Sequence, residues 1–170
     1  MGPLDNIVVL DLSRILAGPF STQILSDLGA TVWKIESPWG DDTRKWGPPF
    51  IEGESAYYLS ANRGKKSMIV NLRDERGQAI IKQMAQKADI LVENFKVGDL
   101  ARRGLDYDSV SKINPRLIYA SVTGFGQTGP RAPEPGYDAA LQGMTGVMSV
   151  TGETDGPPSK VGVAWIDILT

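Results

Sequence analysis

Short runs of branched apolar residues alternate with segments of helical periodicity, and this alternation constrains the fold more than any other feature of the chain. Residues 7–12 (IVVLDL) predict a buried strand. Apolar side chains then recur at helical spacing from residue 20 to residue 28, and residues 31–36 (TVWKIE) predict a second strand. A strand, a helix and a strand within so short a stretch form a βαβ unit, whose strands are parallel. The chain therefore opens as an α/β domain.

The alternation continues without internal repeats, low-complexity segments or a composition shift that would indicate a boundary. We therefore predict one unit over residues 1–170, with an open, parallel, Rossmann-like sheet that carries helices on both faces. The further predicted strands are residues 67–72, 90–93 and 117–123, and the further predicted helices are residues 75–87, 107–112 and 139–150.

Composition narrows the chemistry that such a domain can perform. The 170 residues contain no Cys and no His, which excludes disulfides, thiolate nucleophiles, the Ser-His-Asp arrangement and the most common metal ligands. A formal net charge of −2 excludes a generally basic nucleic-acid binder. Any catalysis must rely on carboxylates, hydroxyls, amides, Lys or Arg, and we expect neither a metal site nor a nucleic-acid partner.

The sequence carries no recognisable targeting segment. No apolar stretch reaches the roughly 18 residues of a membrane span, and the first five residues (MGPLD) lack the basic start of a signal peptide. The expected location is the cytoplasm, or the mitochondrial matrix if a presequence has been removed, with no membrane partner. Because the sequence stops inside an apolar run, we also expect a piece of a longer protein.

A single carboxylate, Asp167, interrupts that apolar run (residues 161–170, VGVAWIDILT). A buried charge has to be hydrogen-bonded, paired or functional, because its isolation from water is costly. If residues 161–166 form a strand, Asp167 lies at its carboxyl end, where open α/β sheets bind ligands, and a following helix would direct its N-terminal amides at the carboxylate. The alternative is a structural N-cap in an ordinary turn. The stretch by itself leaves both interpretations open.

Three loops are further candidates for binding. Residues 124–129 (GFGQTG) match the G-x-G-x-x-G pattern of dinucleotide sites, but prolines soon after them prevent the helix that such a site requires, so we predict a flexible loop. Residues 62–66 (NRGKK) place three cations around a glycine, which predicts a phosphate site or, more commonly, a solvated turn. Residues 37–54 exceed the usual loop length, and their two tryptophans favour an ordered loop.

The helix predicted over residues 139–150 is unusually rich in small residues. We expect Asp138 to be its N-cap. Gly143 and Gly146 weaken the helix, and such residues are typical of places where a second backbone or a ligand comes close.

The order of these motifs resembles the amino-terminal part of a class III coenzyme A transferase (CaiB/BaiF type), the family of formyl-CoA transferase and carnitine-CoA transferase. The resemblance extends over essentially the whole chain. The sequences of residues 40–50 and 54–67 are similar to those of the succinate or glutarate branch of the family. The motifs that carry it are LDLSRILAGPF at 10–20, DLGATVWKIESPWGDDTR at 27–44, NRGKKS at 62–67, ADILVENFKVGDLARRGLDY at 88–107, NPRLIYASVTGFGQTGP at 114–130, GYDAALQGMTG at 136–146 and TGETDGPPSKVGVAWID at 151–167.

The resemblance implies an activity and a set of site residues. Asp167 matches the catalytic aspartate of the family, whose carboxylate attacks an acyl-CoA thioester and forms first an acyl-aspartyl anhydride and then an aspartyl-CoA thioester. The implied reaction transfers CoA from an acyl-CoA to a free carboxylic acid and needs no permanently bound cofactor. The family's coenzyme A contacts correspond to Leu16, Ala17, Ser37, Val70, Asn71, Leu72, Arg73, Asn94, Phe95, Lys96, Arg102, Gly136, Tyr137 and Asp138.

Two positions depart from formyl-CoA transferase. Leu16 stands where that enzyme has a Gln, and Ser37 replaces an Arg, so we do not expect formate or oxalate as the substrate. The nucleotide phosphates are expected to rely on Arg73, Lys96 and Arg102 instead. Family members are interlocked homodimers with a second, smaller domain, and the 170 residues are expected to be the amino-terminal part of the large domain.

Two other functions remain open on the sequence. α-Methylacyl-CoA racemases share the family's fold, but a His stands in them where this chain has Tyr137, and without an imidazole the base for proton abstraction is missing. A coenzyme A-binding piece without turnover is the other alternative, because the family's glycine-rich lid and small domain have no counterpart in these residues.

Overall fold

The computed structural model describes residues 2–170, and residue 1 lies outside them. The strands are β1 (Val8–Asp11), β2 (Thr31–Glu36), β3 (Phe50–Ile51), β4 (Glu54–Ser55), β5 (Lys66–Ile69), β6 (Ile90–Glu93) and β7 (Ile118–Ser121). The α-helices are α1 (Ala17–Asp27), α2 (Ala56–Asn62), α3 (Glu75–Ala85), α4 (Tyr107–Val110), α5 (Asp138–Met144) and α6 (Trp165–Leu169). Within residues 2–170, five strands form one parallel sheet in the order β5-β2-β1-β6-β7, and β3 and β4 form a separate antiparallel hairpin.

The sheet carries a hydrophobic core on each face. Successive side chains of a strand point to opposite faces, so Leu10 and Leu91 pack with α3 on one face, whereas Val9 and Val92 pack with α1 on the other. Leu10, Leu91 and Val9 are completely buried. Helices therefore cover both faces of a parallel sheet, and the predicted α/β fold class is confirmed.

The strand order determines where a ligand can bind. Strand β1 is central, with β2 and β5 on one side and β6 and β7 on the other, so the direction of winding reverses between β1 and β6. Open α/β sheets bind ligands in the crevice at this reversal, beyond the carboxyl ends of the strands. The loops that follow β1 and β6 are therefore the expected borders of a site.

The end of the chain differs from the prediction. Residues 161–166 do not form a strand, because a turn leads directly into helix α6, which begins at Trp165. The helix predicted over residues 139–150 is broken, since Gly146 adopts a left-handed φ of 84° and separates α5 from a 3-10 helix at Val147–Val150. Asp138 is the first residue of α5, and Tyr137 rather than Asp138 is the N-cap.

Residues 37–54 form an ordered loop, as predicted, but only one of their tryptophans packs against a neighbour. Trp46 meets Tyr57 edge to face with ring centroids 5.1 Å apart, whereas Trp39 is 80% exposed. The loop contains a 3-10 helix at Asp42–Lys45 and the β3–β4 hairpin. Helix α2 follows directly, and the sequence patterns did not predict it.

The basic turn at residues 62–66 buries the side chain of Lys65 and leaves Arg63 and Lys66 exposed. The Lys65 Nζ atom lies 3.1 Å from Asp11 Oδ2, and the Lys65 side chain is only 1% exposed. Burial lowers the pKa of Lys65 to about 8, although the Asp11 carboxylate opposes this effect. Arg63 forms an ion pair with Asp27. The prediction of a solvated turn is therefore wrong for Lys65 and holds for Arg63 and Lys66, which are exposed.

The glycine-rich loop at residues 124–129 does not open a helix, which agrees with the rejection of a dinucleotide site. The loop instead packs against the start of α5. A Cβ atom on Gly124 would lie 2.4 Å from the Gly136 Cα atom, so only glycine permits this approach of two backbones.

Candidate active site

Asp167 is the third residue of helix α6, and its side chain is half-buried. It lines a cavity of about 340 Å³, called the Asp167 cavity below, between the loops after β1 and β6 and the starts of α5 and α6. The predicted strand end before Asp167 is wrong, because residues 161–164 form a turn. Asp167 does lie in the first turn of a helix, but the amides of Ile166 and Asp167 donate to Asp138 rather than to the Asp167 carboxylate.

All fifteen predicted site residues lie in the described part of the chain, and nine of them line the Asp167 cavity. Four separate segments supply them, namely the loop from β1 into α1, the loop after β6, the start of α5 and the first turn of α6. The cavity thus occupies the point where the winding of the sheet reverses. The nine residues are Leu16, Ala17, Asn94, Phe95, Lys96, Gly136, Tyr137, Asp138 and Asp167.

The other six predicted residues lie outside this cavity. Ser37 follows β2 and donates a hydrogen bond to the Gly40 carbonyl at 3.0 Å. Val70 belongs to the hydrophobic core, so its side chain is not available to a ligand. Arg102 is largely exposed and pairs with Asp99. Coenzyme A contacts at these positions stay predictions, as do those at Asn71, Leu72 and Arg73, which follow β5.

Asp138 caps the helix that carries Asp167 instead of its own helix. Its Oδ1 atom accepts hydrogen bonds from the backbone N–H of Ile166 at 2.8 Å and of Asp167 at 3.4 Å. These amides belong to the first turn of α6, which has no side-chain cap from its own N-cap residue. A carboxylate at a helix N-terminus satisfies free amides and interacts favourably with the helix dipole. Asp138 therefore connects the start of α5 to the backbone of Asp167.

The two carboxylates also interact electrostatically. Burial raises the pKa of Asp167, and the negative charge of Asp138 raises it further. Tyr57 lies close enough to be affected, because burial and then the charges of Asp167 and Asp138 raise the pKa of its phenol. Asp167 is thus a poorly solvated carboxylate beside a like charge, an arrangement that is common at catalytic carboxylates.

The sequence patterns missed Gln142, which is completely buried on α5. Its Nε2 atom donates to Asp138 Oδ2 at 2.7 Å and to the Val163 carbonyl at 3.2 Å, and its Oε1 atom accepts from the Val161 N–H at 2.8 Å. The available signal was a polar side chain one helical turn after Asp138 among small apolar residues. That spacing indicates a shared helix face but not what the face contacts.

The loop after β1 is held in an unfavourable backbone conformation at the edge of the cavity. Ile15 has a φ of 71°, which a β-branched residue rarely adopts. Two hydrogen bonds join the Asn94 side chain to the Arg14 backbone, at 3.0 Å to its N–H and 2.7 Å to its carbonyl. The Ile15 N–H points at the Asp41 carboxylate at 3.4 Å. Strain of this kind persists where surrounding contacts impose it, typically at functional sites.

A second cavity of about 370 Å³ lies beside the first and shares Phe95, Lys96 and Val97 with it. It contains the buried carboxyl group of Glu93, whose pKa is raised by burial. Asp167 does not line this cavity. None of its remaining wall residues was a predicted site residue.

The described residues, 2–170, contain no cluster of three His, Cys, Asp or Glu side chains that could hold a metal ion. Over the same range, no helix combines the length and the hydrophobicity needed to cross a bilayer.

Comparisons with known proteins agree with the resemblance read from the motifs. The chain matches the family described as CoA-transferase family III over residues 4–170. It is 53% identical to the succinate–glutarate CoA-transferase of Agrobacterium fabrum, over 99% of this chain and 44% of that protein. It is also 53% identical to the acetyl-CoA:oxalate CoA-transferase of Acetobacter aceti, over 95% of this chain and 41% of that protein.

A solved structure extends the agreement to three dimensions. The crystal structure of a CAIB/BAIF family protein from Brucella suis matches with a TM-score of 0.95 at 54% identity, over 98% of this chain and 45% of that one. The chain spans less than half the length of the curated relatives named above. The matches nevertheless include both the sheet and the Asp167 segment, and the chain belongs to CoA-transferase family III.

Proposed function

We propose that the protein transfers coenzyme A from an acyl-CoA thioester to a free carboxylic acid, with Asp167 as the nucleophile. Membership of CoA-transferase family III supports the reaction class, as do the names of the relatives. The observation that carries the choice of nucleophile is the half-buried Asp167 carboxylate in a cavity at the reversal point of the sheet, beside Asp138. A carboxylate nucleophile also fits a stretch of chain without thiols or imidazoles.

In the first half of the reaction, an Asp167 oxygen attacks the thioester carbonyl of the acyl-CoA. The carbon–sulfur bond breaks, which gives a mixed anhydride between the acyl group and Asp167 and releases the CoA thiolate. The thiolate then attacks the Asp167 side of the anhydride. This step forms an aspartyl-CoA thioester and frees the first carboxylic acid as its anion.

The second half repeats these steps in the opposite direction. An incoming carboxylate attacks the aspartyl thioester, which forms a new mixed anhydride and again releases the CoA thiolate. The thiolate attacks the carbonyl of the incoming acyl group. The new acyl-CoA leaves, the Asp167 carboxylate is restored, and no proton, metal or redox partner is consumed.

The environment of Asp167 suits this role. An attacking carboxylate reacts faster when few hydrogen bonds from water stabilise it, and burial together with the Asp138 charge reduces the stabilisation of the Asp167 anion. Asp138 holds the backbone rather than the carboxylate oxygens of Asp167. The Asp167 oxygens therefore stay available for attack while the helix that carries them is fixed.

The start of α1 supplies a second suitable feature. Leu16 and Ala17 line the cavity, and within the described residues no side chain caps this end of α1. Amides at a helix N-terminus stabilise an oxyanion or a phosphate. We infer that these amides bind the thioester oxygen as it gains charge, and that Lys96 in the same wall favours the anionic coenzyme.

The acid substrate is proposed to be a short dicarboxylic acid. The relatives at 53% identity are named for succinate, glutarate and oxalate, all dicarboxylates. The expectation against oxalate, drawn from Leu16 and Ser37, is therefore not a basis for excluding it. The isomerase alternative is not favoured, because these relatives carry transferase names.

We also propose that the full-length protein is an interlocked homodimer. Large apolar side chains are exposed on this chain, including Val150 at 86% and Ile118 at 63%. Packing against a second copy would remove such side chains from water, which is favourable.

The test traps the covalent intermediates in the full-length protein. Incubation with succinyl-CoA followed by hydroxylamine should place a hydroxamate on Asp167, which peptide mass spectrometry detects. Asp167→Asn should remove both the adduct and CoA transfer to glutarate. Turnover without any modification of Asp167 would overturn this proposal.

A further inference from the structure

Helix α5 buries an amide where a helix usually buries an apolar side chain. Among the described residues of α5, Gln142 is the buried one, with no exposed surface, whereas its neighbours Gly143 and Met144 are exposed. A buried polar group is costly unless it is hydrogen-bonded. The contacts of Gln142 therefore explain why this amide is retained.

Every hydrogen bond of the Gln142 side chain goes to the segment before Asp167 or to Asp138. The Oε1 atom accepts from the Val161 N–H at 2.8 Å, and the Nε2 atom donates to the Val163 carbonyl at 3.2 Å. The second proton of Nε2 goes to Asp138 Oδ2 at 2.7 Å. The amide thus uses both of its protons and its oxygen. Only this orientation of the amide pairs its oxygen with the Val161 N–H and its two protons with the two acceptors.

Asp138 continues this connection to the nucleophile. Its Oδ2 atom is held by Gln142, and its Oδ1 atom accepts from the Ile166 and Asp167 amides. The two side chains lie one turn apart on α5 and together contact the turn at 161–163 and the first turn of α6. These contacts join segments that are about twenty to thirty residues apart in the chain.

We propose that Gln142 is a positioning residue for Asp167, which acts by orienting Asp138 and by fixing the 161–163 turn. This inference rests on the proposed function, because it describes how the nucleophile of that reaction is held. An apolar side chain of the same length could fill the space but could not hold Asp138 or the turn. A Glu could accept from Val161 but, as a carboxylate, could not donate to Asp138 or to the Val163 carbonyl.

The experiment uses the full-length protein with Gln142→Met, Asp138→Asn and the double variant. Gln83→Met is the matched control, because Gln83 lies exposed on α3. We expect Gln142→Met to lower kcat for CoA transfer from succinyl-CoA to glutarate by about 10- to 100-fold, with KM for succinyl-CoA little changed. The acid limb of the pH–kcat profile should move to lower pH, which is also the direction expected for Asp138→Asn. The loss in the double variant should be smaller than the product of the two single losses, because Gln142 acts in part through Asp138.

Hydrogen exchange gives a readout that does not depend on activity. Peptides covering residues 161–170 should exchange faster in Gln142→Met than in Gln83→Met. If Gln142→Met does not fold, Gln142→Glu replaces it, since it keeps the size and the acceptor and, even when protonated, retains at most one of the two donated bonds. We expect a loss of kcat from it as well. Failure of both variants to fold would assign Gln142 to general stability and overturn the inference.

The other outcomes are equally distinct. A Gln142→Met protein with the kcat and pH profile of Gln83→Met would overturn the positioning role, as would losses that multiply in the double variant. A wild-type protein that neither transfers CoA nor forms the Asp167 adduct would overturn the proposed function instead. In that case the exchange measurement still tests whether Gln142 holds the 161–170 segment.

Discussion

Two groups of acidic side chains lie near the carboxyl edge of the same sheet, and the fold treats them in opposite ways. In the first, called the paired group, Asp11, Glu36 and Asp41 each contact a cation, namely Lys65, Arg44 and Lys34. In the second, called the carboxylate pair, Asp138 accepts a hydrogen bond from the Asp167 backbone, and its charge raises the pKa of Asp167. Within residues 2–170 neither member of the carboxylate pair forms an ion pair.

The difference appears in the pKa values. Burial by itself would raise the pKa of Glu36, but hydrogen bonds from Arg44 and Ser67, among others, outweigh burial and lower the pKa to about 2. Burial raises the pKa of Asp167, and the charge of Asp138 adds to this effect. A neutralised carboxylate stabilises the fold, whereas an uncompensated one is available for chemistry. The comparison therefore separates the acids that form ion pairs from Asp167, the proposed nucleophile.

The largest expected effect is that of Asp167→Asn. Loss of the nucleophile should lower kcat by roughly 10⁴-fold or more, as in other enzymes with covalent intermediates. Because the folded state disfavours the Asp167 charge, the free energy of unfolding should change by less than about 1 kcal/mol. Steady-state kinetics and urea unfolding measure the two quantities. Asp155→Asn, at an exposed loop position, is the control, and an Asp167→Asn variant with more than a tenth of wild-type activity would contradict the comparison.

The next effect concerns the paired group. Lys34→Met should lower the free energy of unfolding by about 3–5 kcal/mol, because it leaves the Asp41 carboxylate buried and unpaired. Lys34 Nζ also donates to the Ser13 carbonyl at 3.1 Å, so the loop after β1 loses a contact as well. Lys87→Met, at an exposed position, should change the unfolding free energy by less than about 0.5 kcal/mol. If urea titrations gave Lys34→Met and Lys87→Met the same free energy of unfolding, the ion pair of Asp41 would not stabilise the fold as described.

A smaller effect is expected from acid. The pKa of Glu36 is about 2 in the folded protein and 4.5 as its ordinary value, so the ionised form is favoured by folding. This contribution of about 3 kcal/mol is complete above pH 4.5 and is lost as the pH falls towards 2. Thermal unfolding between pH 6 and pH 2.5 measures it. Glu36→Gln should be less stable than the wild type at pH 6, and its stability should fall less steeply between pH 6 and pH 2.5. If its stability fell as steeply as that of the wild type, the ionised Glu36 would not be the source of this contribution.

The smallest expected effect is a displacement of the pH profile in Asp138→Asn. The charge of Asp138 raises the pKa of Asp167, so its removal should lower that pKa. The proposed mechanism requires the ionised Asp167, and the acid limb of the pH–kcat profile should therefore move to lower pH. Asp99→Asn is the control, since Asp99 lines the same cavity but does not contact the Asp167 backbone. A limb that stays in place or moves upward would show that the two carboxylates are not coupled as described.

The sequence predicted much of the fold, and the reasons for its errors are physical. Residues 7–12 and 31–36 were correct to within a residue, because buried parallel strands are continuous branched apolar runs. Residues 161–166 look the same in sequence but form a turn and a helix, and a short apolar run does not distinguish these states. The prediction of a solvated Lys65 was wrong for a related reason, because charge in the sequence does not reveal that this side chain is buried against Asp11.

The candidate site was predictable in part. The motif around Asp167 identified the proposed nucleophile, and nine of the fifteen predicted residues, all of them described, line one cavity. The roles of Asp138 and Gln142 were not predictable from local pattern. Asp138 was expected to cap its own helix and instead caps α6, because its partners come from a segment 28 residues away.

The order of apolar runs and helical segments determined by itself that this chain forms a parallel α/β sheet, since burial of branched side chains and the handedness of βαβ connections leave few other arrangements. The absence of Cys and His restricted the covalent chemistry that these residues can perform. Only the tertiary structure decided which acids are neutralised and which are not. Whether a carboxylate meets a cation, as Asp41 does, or lies beside another carboxylate, as Asp167 does, depends on distances between segments that the local sequence does not specify.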